Sequence, residues 1–206
     1  MAHQFLSTHS TPAVLRAQEA YYGRAQLIPP AAGPDVLGED EAAFIGRRDS
    51  FYLASVNEDG WPYIQHRGGP RGFLKVIDAH TLGFADLAGN RQLLTTGHVA
   101  GNDRVALFLM DYPRRERLKI SGHAGIVAAK ENPTLAAWLA PEGVPVRQVE
   151  RLFQIRVSGF DWNCPKYITP RFTPEEIEQA VTAPLQRRIR ELEAALAAAR
   201  GPVKPV

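Results

Sequence analysis

The feature that most constrains this chain is a succession of short strand segments between residues 50 and 162, with few helices between them. The segments are rich in aromatic and β-branched residues, and turn signals such as Asn57-Glu58-Asp59-Gly60 separate them. Antiparallel neighbours need only short connections, whereas parallel strands need long crossovers. The pattern therefore predicts a mainly β (α+β) fold built on an antiparallel barrel of six or seven strands with flanking helices.

The predicted strands are, in chain order, SFYLASV, WPYIQHR, FLKVI, TLGFADL, RVALFLMDY, RLKISGHAGIVA and VERLFQIRVSGFDWN. The first two form one hairpin and the next two form a second. The fifth is apolar almost without interruption, which predicts that both of its faces are buried.

Helices are predicted before, between and after these strands. The first covers residues 12–27, with Pro12 at its first position and Ser10 or Thr11 as its cap, and the second covers about 39–48. A third begins at Pro133, with Asn132 as its cap, because proline suits the first helical position. Thr173 followed by Pro174 and two acidic residues begins the last helix, which is expected to be interrupted near Pro184.

These elements predict three regions along the chain. Residues 1–38 form a helical extension and linker, residues 39–172 the barrel domain, and residues 173–206 a long C-terminal helix and tail. The C-terminal helix carries one apolar stripe, which is expected to pack on the barrel or on a second copy of the chain. Its members are Leu185, Ile189, Leu192 and Leu196.

Composition excludes several classes of protein. The 24 basic residues against 22 acidic residues are no nucleic-acid signature, and the single cysteine, Cys164, excludes an internal disulfide or a cysteine-rich metal site. Six scattered histidines show no metal-ligand spacing. The apolar runs fall far short of the roughly 20 residues that span a membrane, and the N-terminus does not resemble a signal peptide. We therefore expect a cytoplasmic protein without nucleic-acid or membrane partners.

Polar and cationic side chains gather around the second predicted hairpin. They are Arg67, Lys75, Asn90, Arg91 and Gln92. Arg67 ends one strand and Lys75 lies in the next, so both could reach one pocket across a hairpin. Arg91 and Gln92 are predicted to lie in the first helical turn after Gly89, where backbone N–H groups face outward. Each residue alone could be a surface charge, but the group predicts a site for an anion such as phosphate.

Four blocks of the chain resemble the pyridoxamine 5′-phosphate oxidase-like family of FMN-binding split β-barrels, over about residues 40–172. They are FIGRRDSFYLASVNEDGWPYIQHRGGPRGFLKV, TLGFADLAGNRQ, NDRVALFLMDYPRRERLKISGHA and FDWNCPKYITPRF. The resemblance implies a homodimer with two FMN sites at its interface, each lined by both subunits.

The resemblance also implies which residues contact FMN. The implied contacts are Arg67, Phe73, Leu74, Lys75, Asn90, Arg91, Gln92, Trp162 and Arg171. Of these, Arg67 and Lys75 point toward the phosphate and ring, and the backbone of Phe73 and Leu74 runs beside the isoalloxazine. The three residues from 90 to 92 match the family's phosphate cluster, although the last is Gln where a Lys is usual. Trp162 and Arg171 match the Trp and the downstream Arg that reach the flavin.

The function implied is that of an FMN-dependent oxidoreductase with an unknown small-molecule substrate and NAD(P)H as a candidate reductant; no catalytic residue is identified. The true oxidases hold the substrate phosphate with an Arg and a His after the Trp. The corresponding stretch here, NCPKYITPR, contains Lys166 and Arg171 but no His, which predicts another substrate. The alternatives are a non-catalytic flavin-binding stress or regulatory protein, the same fold with deazaflavin or haem, and a cofactor-free structural dimer.

Overall fold

The computed structural model describes residues 3–89, 91–162 and 165–200. The described chain divides into two compact units. The first consists of the residues up to Asp111 together with Glu116–Lys166, and the second of Tyr112–Arg115 together with the residues from Tyr167 onward.

The first unit contains all of the strands. They are β1 (Ser50–Val56), β2 (Pro62–Gly68), β3 (Lys75–Asp78), β4 (Thr81–Leu87), β5 (Arg104–Asp111), β6 (Glu116–Ala128) and β7 (Val149–Trp162). Its helices are α1 (His3–His9), α2 (Pro12–Tyr22), α3 (Glu39–Gly46), α4 (Leu94–Gly101) and α5 (Pro133–Leu139), with short 3₁₀ turns at Ala129–Glu131 and Val146–Gln148.

The strands form one seven-stranded antiparallel sheet in the order β2-β1-β5-β6-β7-β4-β3. Both predicted hairpins are present, because β1 pairs with β2 and β3 with β4. The sheet is not closed, since β2 and β3 remain its two edges. The predicted mainly β fold, an antiparallel split barrel with flanking helices, is confirmed.

The sheet curls so that distant strands face each other across the core. Phe51 on β1 and Phe84 on β4 have ring centroids 5.4 Å apart, although three strands separate β1 from β4 in the sheet order. In a flat sheet, strands four positions apart would lie about 19 Å from each other. Phe84 also stacks on Phe153 at 4.7 Å, and Phe51 on Phe73 at 5.5 Å. These four aromatic side chains, all nearly inaccessible to solvent, form the centre of the apolar core.

The prediction that β5 is buried on both faces is wrong. Its residues alternate, with Val105, Leu107, Leu109 and Asp111 buried and the residues between them exposed or half-buried. In a coiled antiparallel sheet only the concave face is covered by the core, so an apolar outer face does not require burial.

Short-range signals predicted the helix ends well. Thr11 and Asn132 each accept a hydrogen bond from the backbone N–H three residues later, at the starts of α2 and α5. The predicted helix over 12–27 ends earlier, at Tyr22, because Gly23 adopts a left-handed conformation with φ 71° and closes the helix. The helix α1 was not predicted; its first N–H groups are bound by Asp35, which lies 30 or more residues away.

The second unit is mainly helical. Thr173 caps α6 (Pro174–Ile177) in a reciprocal capping box with Glu176, and a π-helical segment, Glu178–Thr182, leads into α7 (Ala183–Arg200). The predicted interruption therefore precedes Pro184 and takes the form of a π-helical segment. The apolar stripe of α7 remains 51–57% exposed, so its packing partner is still a prediction. No helix in the described ranges is long and apolar enough to cross a membrane.

Candidate functional site

A small polar pocket lies where β2, β4 and β7 approach the start of α4 in the described part of the first unit. Its volume is about 200 Å³. Its lining consists of Tyr63, Gln65, Arg67, Asp86, Leu87, Gly89, Arg91, Gln92, Leu93, Leu94, Thr95, Thr96 and Arg151. We call it the arginine pocket, because three guanidinium groups and a single carboxylate lie along its wall.

The carboxylate of Asp86 binds two of these guanidinium groups. Arg67 donates from Nη1 to Oδ1 at 2.7 Å, and Arg151 donates from Nε and Nη2 to Oδ2, each at 2.8 Å. The Asp86 side chain is only 10% exposed, so the paired charges stabilise a carboxylate that would otherwise be costly to bury. Arg151 also pairs with the more exposed Glu150 at 2.8 Å.

Two aromatic rings also contact the Arg67 side chain. Its guanidinium lies 5.3 Å from the ring centroid of Phe153 and 5.6 Å from that of Phe84, within range of cation–π attraction. Its Nε is buried and has no hydrogen-bond partner among the described residues. Such buried donors without a partner are uncommon, and Arg117 Nε is another within the described residues.

The segment after β4 differs from the prediction. The helix α4 begins at Leu94, so Arg91 and Gln92 lie in the loop before it and not in its first turn. Arg91 and Leu93 both adopt the left-handed backbone conformation, with φ 61° and 55°. Such values cost energy for residues other than glycine and are enriched at functional sites. Asn90 lies outside the described residues.

Some of the predicted residues line the arginine pocket and others do not. Arg67, Arg91 and Gln92 line it, but Lys75 does not. The Lys75 Nζ instead donates to the backbone carbonyl of Trp138 and lies 5.1 Å from the centre of that indole ring. Within the described residues Arg67 and Lys75 do not line one pocket, and their strands do not form a hairpin, because β2 pairs with β1 and β3 with β4.

The remaining predicted residues lie elsewhere. Phe73 and Leu74 are core residues, 5% and 0% exposed, in the segment before β3. Trp162 donates from Nε1 to Glu41 Oε1 at 2.7 Å and packs edge-on against Phe44, on a different cavity of the first unit. Arg171 belongs to the second unit, where its guanidinium lies 5.1 Å from the Tyr112 ring.

The sequence did not single out Asp86, Arg151, Gln65 or Thr95. Asp86 pairs in register with Arg151 across β4 and β7, and Thr95 donates to Gln65 Oε1 at 3.0 Å. The available signal was a charged residue inside a strand of otherwise apolar character, at 86 in TLGFADL and at 151 in VERLFQI. To predict the ion pair from this signal, one would have to know that β4 and β7 are neighbours, although Asp86 and Arg151 are more than 60 residues apart in the chain.

Within the described residues, no group of three or more His, Cys, Asp or Glu side chains is placed to hold a metal ion. The chemistry that the arginine pocket offers is therefore that of binding an anion through guanidinium, amide and hydroxyl donors.

Comparison with known proteins gives one family. The model of the pyridoxamine 5′-phosphate oxidase family matches residues 37–160, which is more than half of the 206-residue chain. No curated protein matches.

Several solved structures match part of this chain. HupZ of Group A Streptococcus is 15% identical, with a TM-score of 0.48, over 66% of this chain and 99% of that one. A Clostridium acetobutylicum protein related to general stress protein 26 is 11% identical, with a TM-score of 0.46, over 67% and 94% of the two chains. An FMN-binding protein from Syntrophomonas wolfei is 9% identical, with a TM-score of 0.42, over 60% and 83%.

Proposed function

We propose that this chain, which belongs to the pyridoxamine 5′-phosphate oxidase family, is an FMN-binding flavoprotein that works as an oxidoreductase in the cytoplasm. The observation that carries the proposal is the arginine pocket, which is lined by Arg67, Arg91 and Arg151 and by one carboxylate, Asp86. The flavin, when bound, would supply the electron-transfer chemistry, and the protein would supply binding and orientation.

The charges of the arginine pocket fit a phosphate monoester. Three guanidinium groups face one lining carboxylate, so the pocket keeps a positive excess even after the Asp86 pairs are formed. Glu150 reduces this excess only in part, because its side chain is 41% exposed and its charge is screened by water.

The size of the pocket fits the phosphate end of FMN and not its ring. Ligand pockets for molecules of drug size measure about 300–1,000 Å³ and are mostly apolar. The arginine pocket is smaller, about 200 Å³, and polar residues dominate its lining. The isoalloxazine must therefore lie outside it, and the hydroxyl and amide groups of Tyr63, Gln65, Thr95 and Thr96 would face the ribityl chain.

We place the flavin ring at the interface of a homodimer. Two features support this. The pocket accommodates only part of FMN, and Trp162, which the family resemblance assigns to the flavin, lies on a different cavity of its own chain. In this arrangement Trp162 and Arg171 of the partner copy complete the site, while Phe73, Leu74 and Lys75 stay near the ring.

The substrate is proposed to be a small molecule other than pyridoxamine 5′-phosphate, with NAD(P)H as the candidate source of electrons. The stretch 163–172 has no histidine to pair with an arginine on a substrate phosphate. Arg171 is also the residue that the proposal assigns to the flavin.

The proposal is tested by the absorption spectrum of the purified protein, followed by heat release and mass identification of the ligand. We expect flavin absorption, released FMN, and bleaching of the bound flavin by NADH or NADPH. A flavin that stays oxidised with both reductants would favour a storage or regulatory protein. A deazaflavin or haem spectrum would mean that the protein binds that group and not FMN. A colourless protein that also fails to bind added FMN would contradict the proposal.

A further inference from the structure

A second and larger cavity lies away from the arginine pocket and shares no lining residue with it. It measures about 930 Å³ and lies between α1, the segment that links α2 to α3, the start of α3 and the end of β7. Its lining consists of Leu6, Gln26, Leu27, Ile28, Pro29, Asp35, Val36, Gly38, Asp40, Glu41, Phe160, Asp161 and Trp162. We call it the acidic cavity.

The apolar part of the acidic cavity includes an aromatic residue whose position is fixed. Trp162 donates its indole N–H to Glu41 Oε1 at 2.7 Å, and its ring packs edge-on against the buried Phe44 at 4.7 Å. The residue nevertheless stays 39% exposed. An accessible indole that is already held in place gives a ligand aromatic contact with little further loss of side-chain entropy.

All charged residues of the lining are acidic. Asp35, Asp40, Glu41 and Asp161 contribute carboxylates, and the lining contains no Lys, Arg or His. The volume falls in the range of small-molecule sites, and an apolar lining with a few polar groups is their usual composition.

The four carboxylates are not equally available. Asp35 accepts three backbone N–H groups, from Gln4, Phe5 and Phe160, and is therefore structural. Asp161 pairs with Lys119 at 2.7 Å, which offsets its charge.

Of the other two carboxylates, Asp40 is the one that no hydrogen bond from the described residues occupies. Glu41 accepts from Trp162 and from the Gly38 N–H at 2.9 Å, while Asp40 has no partner among the described residues. Both lie in the first turn of α3, where the helix dipole compensates part of their charge.

We propose that the acidic cavity binds a small organic cation, an amine or quaternary ammonium attached to an apolar or aromatic group. Cations are attracted to the face of an indole and to carboxylates, whereas an anionic ligand would be repelled by the same groups. The apolar group would be covered by Leu6, Ile28 and Phe160. The inference does not require flavin binding at the arginine pocket, but both proposals use Trp162, so a flavin ring bound against this indole would compete with the cation.

The test is isothermal titration calorimetry of the full chain with three probes of similar shape and different charge. They are benzyltrimethylammonium, benzyl alcohol and phenylacetate. We expect benzyltrimethylammonium to bind about tenfold more tightly than benzyl alcohol, and phenylacetate to bind most weakly. The titrations are repeated with FMN added, because the family resemblance also places Trp162 beside a flavin. Flavin binding is measured separately by absorption, so either proposal can fail alone.

Single-residue variants test whether the cation binds in the acidic cavity. Asp40→Asn removes an exposed charge with the least change to the fold and should weaken cation binding about fivefold. Trp162→Phe should also weaken it, and Glu142→Gln, an exposed acidic residue outside the cavity, should have no effect. Circular dichroism verifies that each variant is folded. Equal binding of the cation and benzyl alcohol, no binding of the cation, or unchanged affinity in both cavity variants would overturn the inference.

Discussion

Arg67 and Asp86 form an ion pair of 2.7 Å between two strands that share no ladder of hydrogen bonds. Arg67 lies on β2, an edge strand, and Asp86 on β4, five positions away in the sheet order. Both side chains are largely buried, at 16% and 10% exposure. The pair therefore joins the two sides of the split where the sheet is not closed, and it does so on the wall of the arginine pocket.

Asp86→Asn should destabilise the fold. The substitution leaves Arg67 and Arg151 without their shared anion, and breaking a buried ion pair from one side costs about 3–5 kcal/mol. Chemical denaturation gives the change in the free energy of unfolding. The matched control is Asp103→Asn, since Asp103 pairs with His123 at 2.9 Å with 54% of its side chain exposed and should lose less than about 1 kcal/mol. Similar losses in the two variants would contradict the structural importance of the Asp86 pair.

Arg91→Ala should weaken FMN binding and leave the fold intact. A charge-assisted hydrogen bond contributes about 1.5–3 kcal/mol, so the dissociation constant should rise roughly tenfold to a hundredfold. Quenching of flavin fluorescence in a titration measures it. Arg16→Ala, which removes an exposed arginine of α2, is the control and should bind FMN like the parent. An unchanged affinity in Arg91→Ala would mean that the phosphate lies elsewhere.

Gly122→Ala should destabilise the pairing of β6 with β7. A Cβ at this position would lie 2.5 Å from the backbone carbonyl oxygen of Arg156, next to the register shift between Ser121 and Gly122. The backbone must move to relieve this clash, which should lower the free energy of unfolding by about 1–3 kcal/mol or more. Gly125→Ala, on the same strand, is the control, because its nearest neighbour would be 4.0 Å away. Equal thermal midpoints for both variants would refute the steric argument.

The stability of the fold should fall modestly as the pH drops below about 6.5, the ordinary pKa of histidine. Burial, and then the charge of Lys119, lower the pKa of His9, whose Nε2 lies 2.7 Å from Ser121 Oγ. The unfolded chain therefore binds a proton at a higher pH than the folded chain does. Stability is lost through this interval and levels off once folded His9 is also protonated.

The contribution of His9 is isolated by comparison with His9→Gln. Denaturation curves at pH 8 and pH 5.5 should show a smaller loss for the variant, because it lacks the titrating group. The same loss in both proteins would mean that His9 stays neutral or equally protonated in the folded and unfolded states.

Local features of the sequence predicted local structure. The caps at Thr11, Asn132 and Thr173 hold because each side chain bonds a backbone group only three residues away, so no tertiary information is needed. The strands and their two hairpins follow from alternation and turn residues for the same reason. The early end of α2 at Gly23 shows the limit, since the periodic pattern continued beyond the residue that closes the helix.

The sequence by itself determined the family, the antiparallel split barrel and the choice of Arg67 and Arg91, which the structure brings to the wall of one pocket. Only the tertiary structure decided which charges meet. Arg151 joins Asp86 because β7 pairs with β4, whereas the Lys75 side chain binds the backbone carbonyl of Trp138 and does not line the arginine pocket. The physical reason is that strand order follows from burial of a shared core, which is a property of the whole chain, whereas hairpins and caps depend only on neighbouring residues.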